Sequence, residues 1–170
     1  MRRLIFYIAM IFVIYFFQTG VFTHLALGGI VPNLFIICIV SVGVIRGKME
    51  GCLIGFFCGI LMDALFGPYF GLYALVFSVI GYLSGYVQQI FYEEDMTLPI
   101  VIIGIADLLY GIAIYLFTFL TRGRTNFIFY FGRIILPETI YTLILAVFLY
   151  RLIGWINKKI EIKGSENRID

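Results

Sequence analysis

The sequence predicts an all-α membrane protein, a bundle of six transmembrane helices forming one polytopic domain over residues 1–170. Three observations predict it. Of the 170 residues, 62% are apolar and only 13% are charged, where a soluble domain carries about 25% charge. The mean hydropathy is +1.06. Finally, the apolar residues fall into runs of roughly span length, separated by short breaks of Gly, Pro and charged residues.

A span needs about 20 apolar residues, with a range of roughly 17–25. The first expected span covers 4–19, behind Met1-Arg2-Arg3. It lacks a clear small-residue cleavage site and reads as a retained helix. Gly28-Gly29 and Pro32-Asn33 mark a loop and a helix start. The second span, 33–45, is short, and so is the third, 51–66, after the break Arg46-Gly47-Lys48-Met49-Glu50. Five full spans plus one re-entrant segment is therefore an open alternative. Gly67-Pro68 ends the third run, and the fourth covers 70–90. Glu93-Glu94-Asp95 forms an acidic loop, and Pro99 sits in the first turn of the fifth span, 98–120. A polar and aromatic connection over 121–133 leads to the sixth span, 134–156, and a charged tail.

Six spans place both termini on one side, and the positive-inside rule chooses which. With cytoplasmic termini the inner Lys and Arg residues are Arg2, Arg3, Arg46, Lys48, Arg151, Lys158, Lys159, Lys163 and Arg168, nine of the twelve. The outer three are Arg122, Arg124 and Arg133. The expected location is the cytoplasmic (inner) membrane of a bacterium, multi-pass.

Seven of the ten acidic residues fall in inner loops or the tail; Asp63, Asp107 and Glu138 do not. A carboxylate at mid-bilayer costs about 2.5–3.5 kcal/mol on insertion scales, so a partner is expected for each. Asp63 ends a small-residue stripe, Gly51, Gly55 and Gly59, which points to a helix packed closely alongside. At 1.5 Å per residue it lies about 18 Å from the inner surface. Asp107 falls near the midplane. Glu138 follows Pro137 near the outer start of the last span, and Arg133 stands five residues upstream as a possible counter-charge. These groups either fix helix packing and partner contact or line a polar path. In the first case Asp63→Asn preserves most folding, while Asp63→Leu cuts abundance or assembly. The aromatic and arginine-bearing connection 121–133 either anchors spans at the interface or docks a partner or anionic lipid.

Several function classes are disfavoured. A net charge of +2, with basic residues spread along the chain, gives no nucleic-acid surface. One His and three scattered cysteines, Cys38, Cys52 and Cys58, do not make a metal-ligand set, and no cofactor motif appears. There is no phosphate-binding glycine loop, no Gly-x-Ser-x-Gly, no His-Glu-x-x-His and no nucleophile–base set suited to an intramembrane protease. No enzyme activity is expected.

Several short blocks, in order along most of the chain, resemble one family. They are Pro32-Asn33-Leu34 opening the second span, Arg46-Gly47 ending it, and Gly55, Phe56, Gly59, Asp63, Gly67, Gly71, Leu72 and Tyr73 in that spacing. Leu136-Pro137-Glu138, Tyr141 and Tyr150 follow in the last span, with Thr142 where Asn is common. Their order and spacing, with the chain length and span count, resemble the bacterial rod shape-determining protein MreD family. The resemblance implies a non-enzymatic membrane scaffold of the cell-elongation machinery that directs side-wall peptidoglycan synthesis. Its implied partners are the MreC-like bitopic protein, the RodA-like glycosyltransferase with its transpeptidase, and the MreB-like filament. It also implies a fold similar to the six-helix substrate-binding subunits of energy-coupling-factor vitamin transporters. That likeness supplies the rival function, a small-molecule-binding transporter subunit. The structural or partner-contact candidates are Gly51, Gly55, Gly59, Asp63, Asp107, Arg133, Pro137, Glu138 and Tyr141.

Overall fold

The computed structural model describes residues 2–26, 28–66, 70–89, 97–118 and 127–166, and every regular element among them is helical. Helix α1 (Arg2–Phe16) runs into a π turn, Phe17–Val21. Then come α2 (Leu34–Arg46), α3 (Lys48–Phe66), α4 (Leu72–Ser84) with a 3-10 turn at Val87–Gln89, and α5 (Thr97–Thr118). A short α6 (Phe127–Tyr130), a π turn (Phe131–Ile135) and α7 (Leu136–Glu166) close the chain as one helical stretch. Gly67-Pro68, the acidic loop Glu93–Asp95, and Arg122 and Arg124 lie outside the described residues.

The core is built around α2, in which every residue from Leu34 to Val44 is buried. Apolar on all sides, it has no face to give to water and packs against α1, α3, α4, α5 and α7. Its one hydroxyl in the middle, Ser41, donates back to the Ile37 carbonyl oxygen. Thirteen residues make α2 about 20 Å long, against about 30 Å for a bilayer core. Its N-terminus therefore ends inside the bundle, below the far end, where α3 stops and α7 starts.

At the near end, with the N-terminus, α2 turns directly into α3 at Gly47, whose φ of +98° suits a residue without Cβ. Gln88 donates to the Ile45 carbonyl oxygen at 3.3 Å, Lys48 sits 3.6 Å over the Tyr86 ring, and the Tyr7 hydroxyl donates to the Glu50 carboxylate. Long apolar helices complete the bundle: Thr97–Thr118 and Phe127–Ile156 are each long and apolar enough to cross a membrane.

Two expectations need correction. The connection 121–133 is not a loop throughout, because the chain is helical from Phe127 onward. The cause is packing: Tyr115 of α5 lies 5.1 Å from both the Phe127 and the Tyr130 rings, ordering this aromatic segment as a helix. The fourth helix ends at Ser84 rather than 90, with the 3-10 turn behind it. At the other extreme, α7 continues through the charged tail to Glu166, a stretch rich in Lys, Glu and Ile that has no Pro.

Candidate functional site

Asp63 belongs to the α3–α4 hairpin, the most closely packed helix pair in the molecule. Its stripe of small residues explains the approach. A Cβ at Gly51 would collide with the Gly81 carbonyl oxygen, one at Gly55 with the Phe77 carbonyl oxygen, and one at Gly59 with the Ala74 backbone. The two backbones therefore touch along three successive turns. Asp63 stands one turn further on, 4% exposed. Its Oδ1 accepts from the Tyr73 N–H at 3.0 Å and its Oδ2 from the Ala74 N–H at 2.9 Å. Those N–H groups belong to the first turn of α4, whose own N-cap residue is Gly71 and has no side chain to offer. The carboxylate of one helix thus caps the next, and its charge faces the positive end of the α4 dipole.

A second cap sits at the buried N-terminus of α2. The Asn33 side chain accepts from the Ile36 N–H at 3.2 Å, as an N-cap should. Gln18, from the π turn after α1, accepts from the Leu34 N–H at 2.9 Å and donates to the Pro32 carbonyl oxygen at 2.9 Å. Thr142, from α7, accepts the Asn33 N–H at 3.0 Å. Asp107, only 2% exposed, completes the cluster from α5. The side chains of Thr139, Thr142 and Asn33 face it, yet neither of its oxygens reaches a partner in hydrogen-bonding geometry. Thr139 donates instead to the Ile135 carbonyl oxygen at 2.9 Å. Four segments, remote in sequence, meet at the α2 terminus and its dipole.

Above this cluster lies a cavity of about 530 Å³. Its lining includes Asn33, Phe35, Met62 and Tyr110, with Gln18 and the segment Gly28–Val31. The last wall is the stretch from α6 through the π turn into α7, with Phe129, Arg133, Ile134 and Glu138. Pro137 accounts for the local geometry. Lacking an N–H, it cannot close an α-type bond to the Arg133 carbonyl, and the ladder widens to a π turn just before it. Arg133 and Glu138 would sit about 140° apart around an α-helix. The inserted π turn brings both to the cavity. The expected ion pair between them does not form among the described residues. Arg133 lies 5.5 Å over the Phe129 ring, and Glu138 has no hydrogen bond among the described residues. Tyr141, one turn on, packs edge-to-face on Phe22 and points its hydroxyl 3.5 Å from the Leu25 carbonyl oxygen.

The sequence candidates thus separate into two groups. Gly51, Gly55, Gly59 and Asp63 lock α3 to α4, while Asp107 lies at the α2 terminus, Arg133 and Glu138 line the cavity, one in the π turn before Pro137 and one just after it, and Tyr141 packs on Phe22 and Leu25. An aromatic cluster joins them: Tyr73, whose N–H is held by Asp63, lies 6.2 Å from Tyr110, and Phe77 stacks between Tyr110 at 5.4 Å and Phe35 at 6.2 Å. Sequence reasoning missed Gln18 and gave Thr142 no role. Gln18 is an uncharged amide at the end of an apolar run, and that was its one available signal. Among the described residues no group of three or more His, Cys, Asp or Glu side chains could hold a metal ion.

These features define a class: a helical membrane protein whose buried polar groups mostly hold helix ends together. The chain belongs to the MreD family, for the family model described as rod shape-determining protein MreD matches residues 1–159. Membership supports a role in rod shape determination in bacteria, as a membrane protein of the shape-determining system. No curated protein and no solved structure matches the chain.

Proposed function

We propose that the protein is a non-enzymatic scaffold of the bacterial cell-elongation complex. It crosses the cytoplasmic membrane six times with both termini inside, as a single domain. Its partners are an MreC-like bitopic protein and a RodA-like glycosyltransferase with its transpeptidase, with an MreB-like filament reached directly or through them. Family membership supports the role in shape, and nine inner against three outer basic residues support the orientation. The observation that carries the scaffold mechanism is the use of Asp63. Both its oxygens are taken by the first turn of α4. A carboxylate so engaged stiffens the α3–α4 hairpin and is not available as a base. That rigid hairpin presents Leu53, Phe56 and Phe57 outward, apolar side chains suited to a partner helix in the membrane plane.

Photocrosslinkers placed at Leu53, Phe56 and Phe57, and along 121–133, test this in living cells. The expected outcome is capture of MreC-like or RodA-like partners from at least one of these positions. Capture of lipid alone from all of them overturns the scaffold role. The cavity favours a rival, a small-molecule-binding subunit with the fold of energy-coupling-factor transporters. A vitamin-like compound copurifying with the protein, in place of elongation partners, would establish it.

A further inference from the structure

We propose that the cavity beside α7 binds a zwitterion, with its ammonium on Glu138 and its anionic group on Arg133. Three observations carry this. First, the volume of about 530 Å³ suits a small ligand or a lipid headgroup, and Phe35, Met62 and Ile134, with the ring of Tyr110, provide largely apolar walls. Second, its carboxyl and its guanidinium are both unspent. Glu138 is half-buried without a hydrogen bond, and Arg133 is exposed, with only the Phe129 ring beneath it. They form no ion pair among the described residues, so a molecule carrying both charges can meet both without first breaking a bond. Third, the π turn fixes their spacing. Five residues of helix rise set them about 7 Å apart along the axis, both on the cavity wall.

The surrounding charges fit the same polarity. Asp107 lies behind Glu138, close enough to add its field and without a hydrogen bond of its own. A bound ammonium would meet two carboxyl groups there, while the exposed Arg133 offers its guanidinium to an anionic group. Of the other polar side chains of the lining, Gln18 and Asn33 are committed to the α2 terminus, and the Tyr110 hydroxyl is turned to Tyr73. They leave Glu138 and Arg133 to discriminate. Phe129 and Ile134 also face outward, and Ile128 beside them is 87% exposed, so the wall of the cavity borders the lipid-facing surface. Phosphate and ammonium of a phosphatidylethanolamine headgroup have the required chemistry, and so does a free amine bearing a phosphate or carboxylate.

The test uses the full chain, delipidated in detergent. Native mass spectrometry measures retention of dioleoyl phosphatidylethanolamine and of dioleoyl phosphatidylglycerol, which lacks the ammonium. Thermal unfolding with soluble O-phosphoethanolamine tests the free source. Wild type, Glu138→Gln and Arg133→Gln are compared after each elutes as a single species in size exclusion. Preferential retention of the ethanolamine lipid, falling about tenfold or more in both variants, supports the site with a lipid source. Stabilisation by O-phosphoethanolamine that both variants lose supports the same site with a soluble source. Equal retention of the two lipids by all three proteins, with no stabilisation by the soluble probe, overturns it. That failure leaves the scaffold role standing, because the latter is read from protein crosslinks and not from small ligands.

Discussion

Asp63 meets two backbone N–H groups with two oxygens, and that stoichiometry predicts how substitutions rank. An Asn keeps one acceptor and turns its amide N–H₂ toward the other donor, so Asp63→Asn, expected from sequence to preserve most folding, should cost part of the capping and less than Leu. Asp63→Leu leaves both donors of the α4 first turn unpaired, at about 1–3 kcal/mol each. The expected order of melting temperature in detergent is wild type, then Asp63→Asn, then Asp63→Leu. Equal melting of Asn and Leu variants would mean that the capping bonds do not contribute. Thr142 yields a second prediction of the same kind. Its hydroxyl accepts the Asn33 N–H in a fully buried position. Thr142→Val, which keeps the shape and removes the acceptor, should destabilise by about 1–3 kcal/mol. Thr142→Ser should lose less, and a Val variant that melts like wild type would contradict the cap.

At the scale of the element, the α3–α4 hairpin was largely readable in the chain, because one stripe of glycines and one acid encode it locally. Gly51, Gly55 and Gly59 recur at helical spacing, and the residues they meet, Gly81, Phe77 and Ala74, lie in the next helix. The capping of α2 was not readable in the same way. Gln18, Asn33, Asp107 and Thr142 come from separate helices, and only tertiary packing brings them together. The π turn before Pro137 was also hidden, since a proline after Leu136 marks a helix start as readily as a widened turn. Gly132 and Arg133 disguised 127–133 as a loop, whereas the aromatic contacts with Tyr115 that make it helical are long-range. The hairpin gives a test with its own control. Gly59→Ala puts a Cβ against the Ala74 backbone and should destabilise by about 1–3 kcal/mol, read by thermal unfolding. Gly154→Ala on α7 meets open space and should be neutral, or stabilising by up to about 1 kcal/mol through helix propensity. Equal effects of the two would show that backbone approach is not what these glycines supply.

For the whole molecule, the short central helix and the basic residues lead to one topological prediction. Helix α2 spans about 20 Å and ends below the far surface, so the cavity above it opens at the end where α3 stops and α7 starts. If that end faces outward, Arg133 and the cavity are reached from the periplasmic side, and Lys48, Glu50 and the tail from the cytoplasm. Cysteine labelling in intact cells decides this. The three native cysteines, Cys38, Cys52 and Cys58, lie within the helices, two of them buried, and are first replaced by Ala or Ser. A membrane-impermeant maleimide should then label Arg124→Cys in intact cells. Glu94→Cys and Lys163→Cys should react only after permeabilisation. A cysteine at position 2 reports the side of the N-terminus, and its labelling only after permeabilisation would make the number of crossings between it and the tail even. Labelling of Glu94→Cys from outside would reduce the number of crossings before α5 and would favour one re-entrant segment among the short runs. The cavity would then open toward the cytoplasm or the bilayer interior, and partners with outer domains could not reach it. Labelling at 124 alone would instead leave the far end, with Arg133 and the cavity mouth, facing outward.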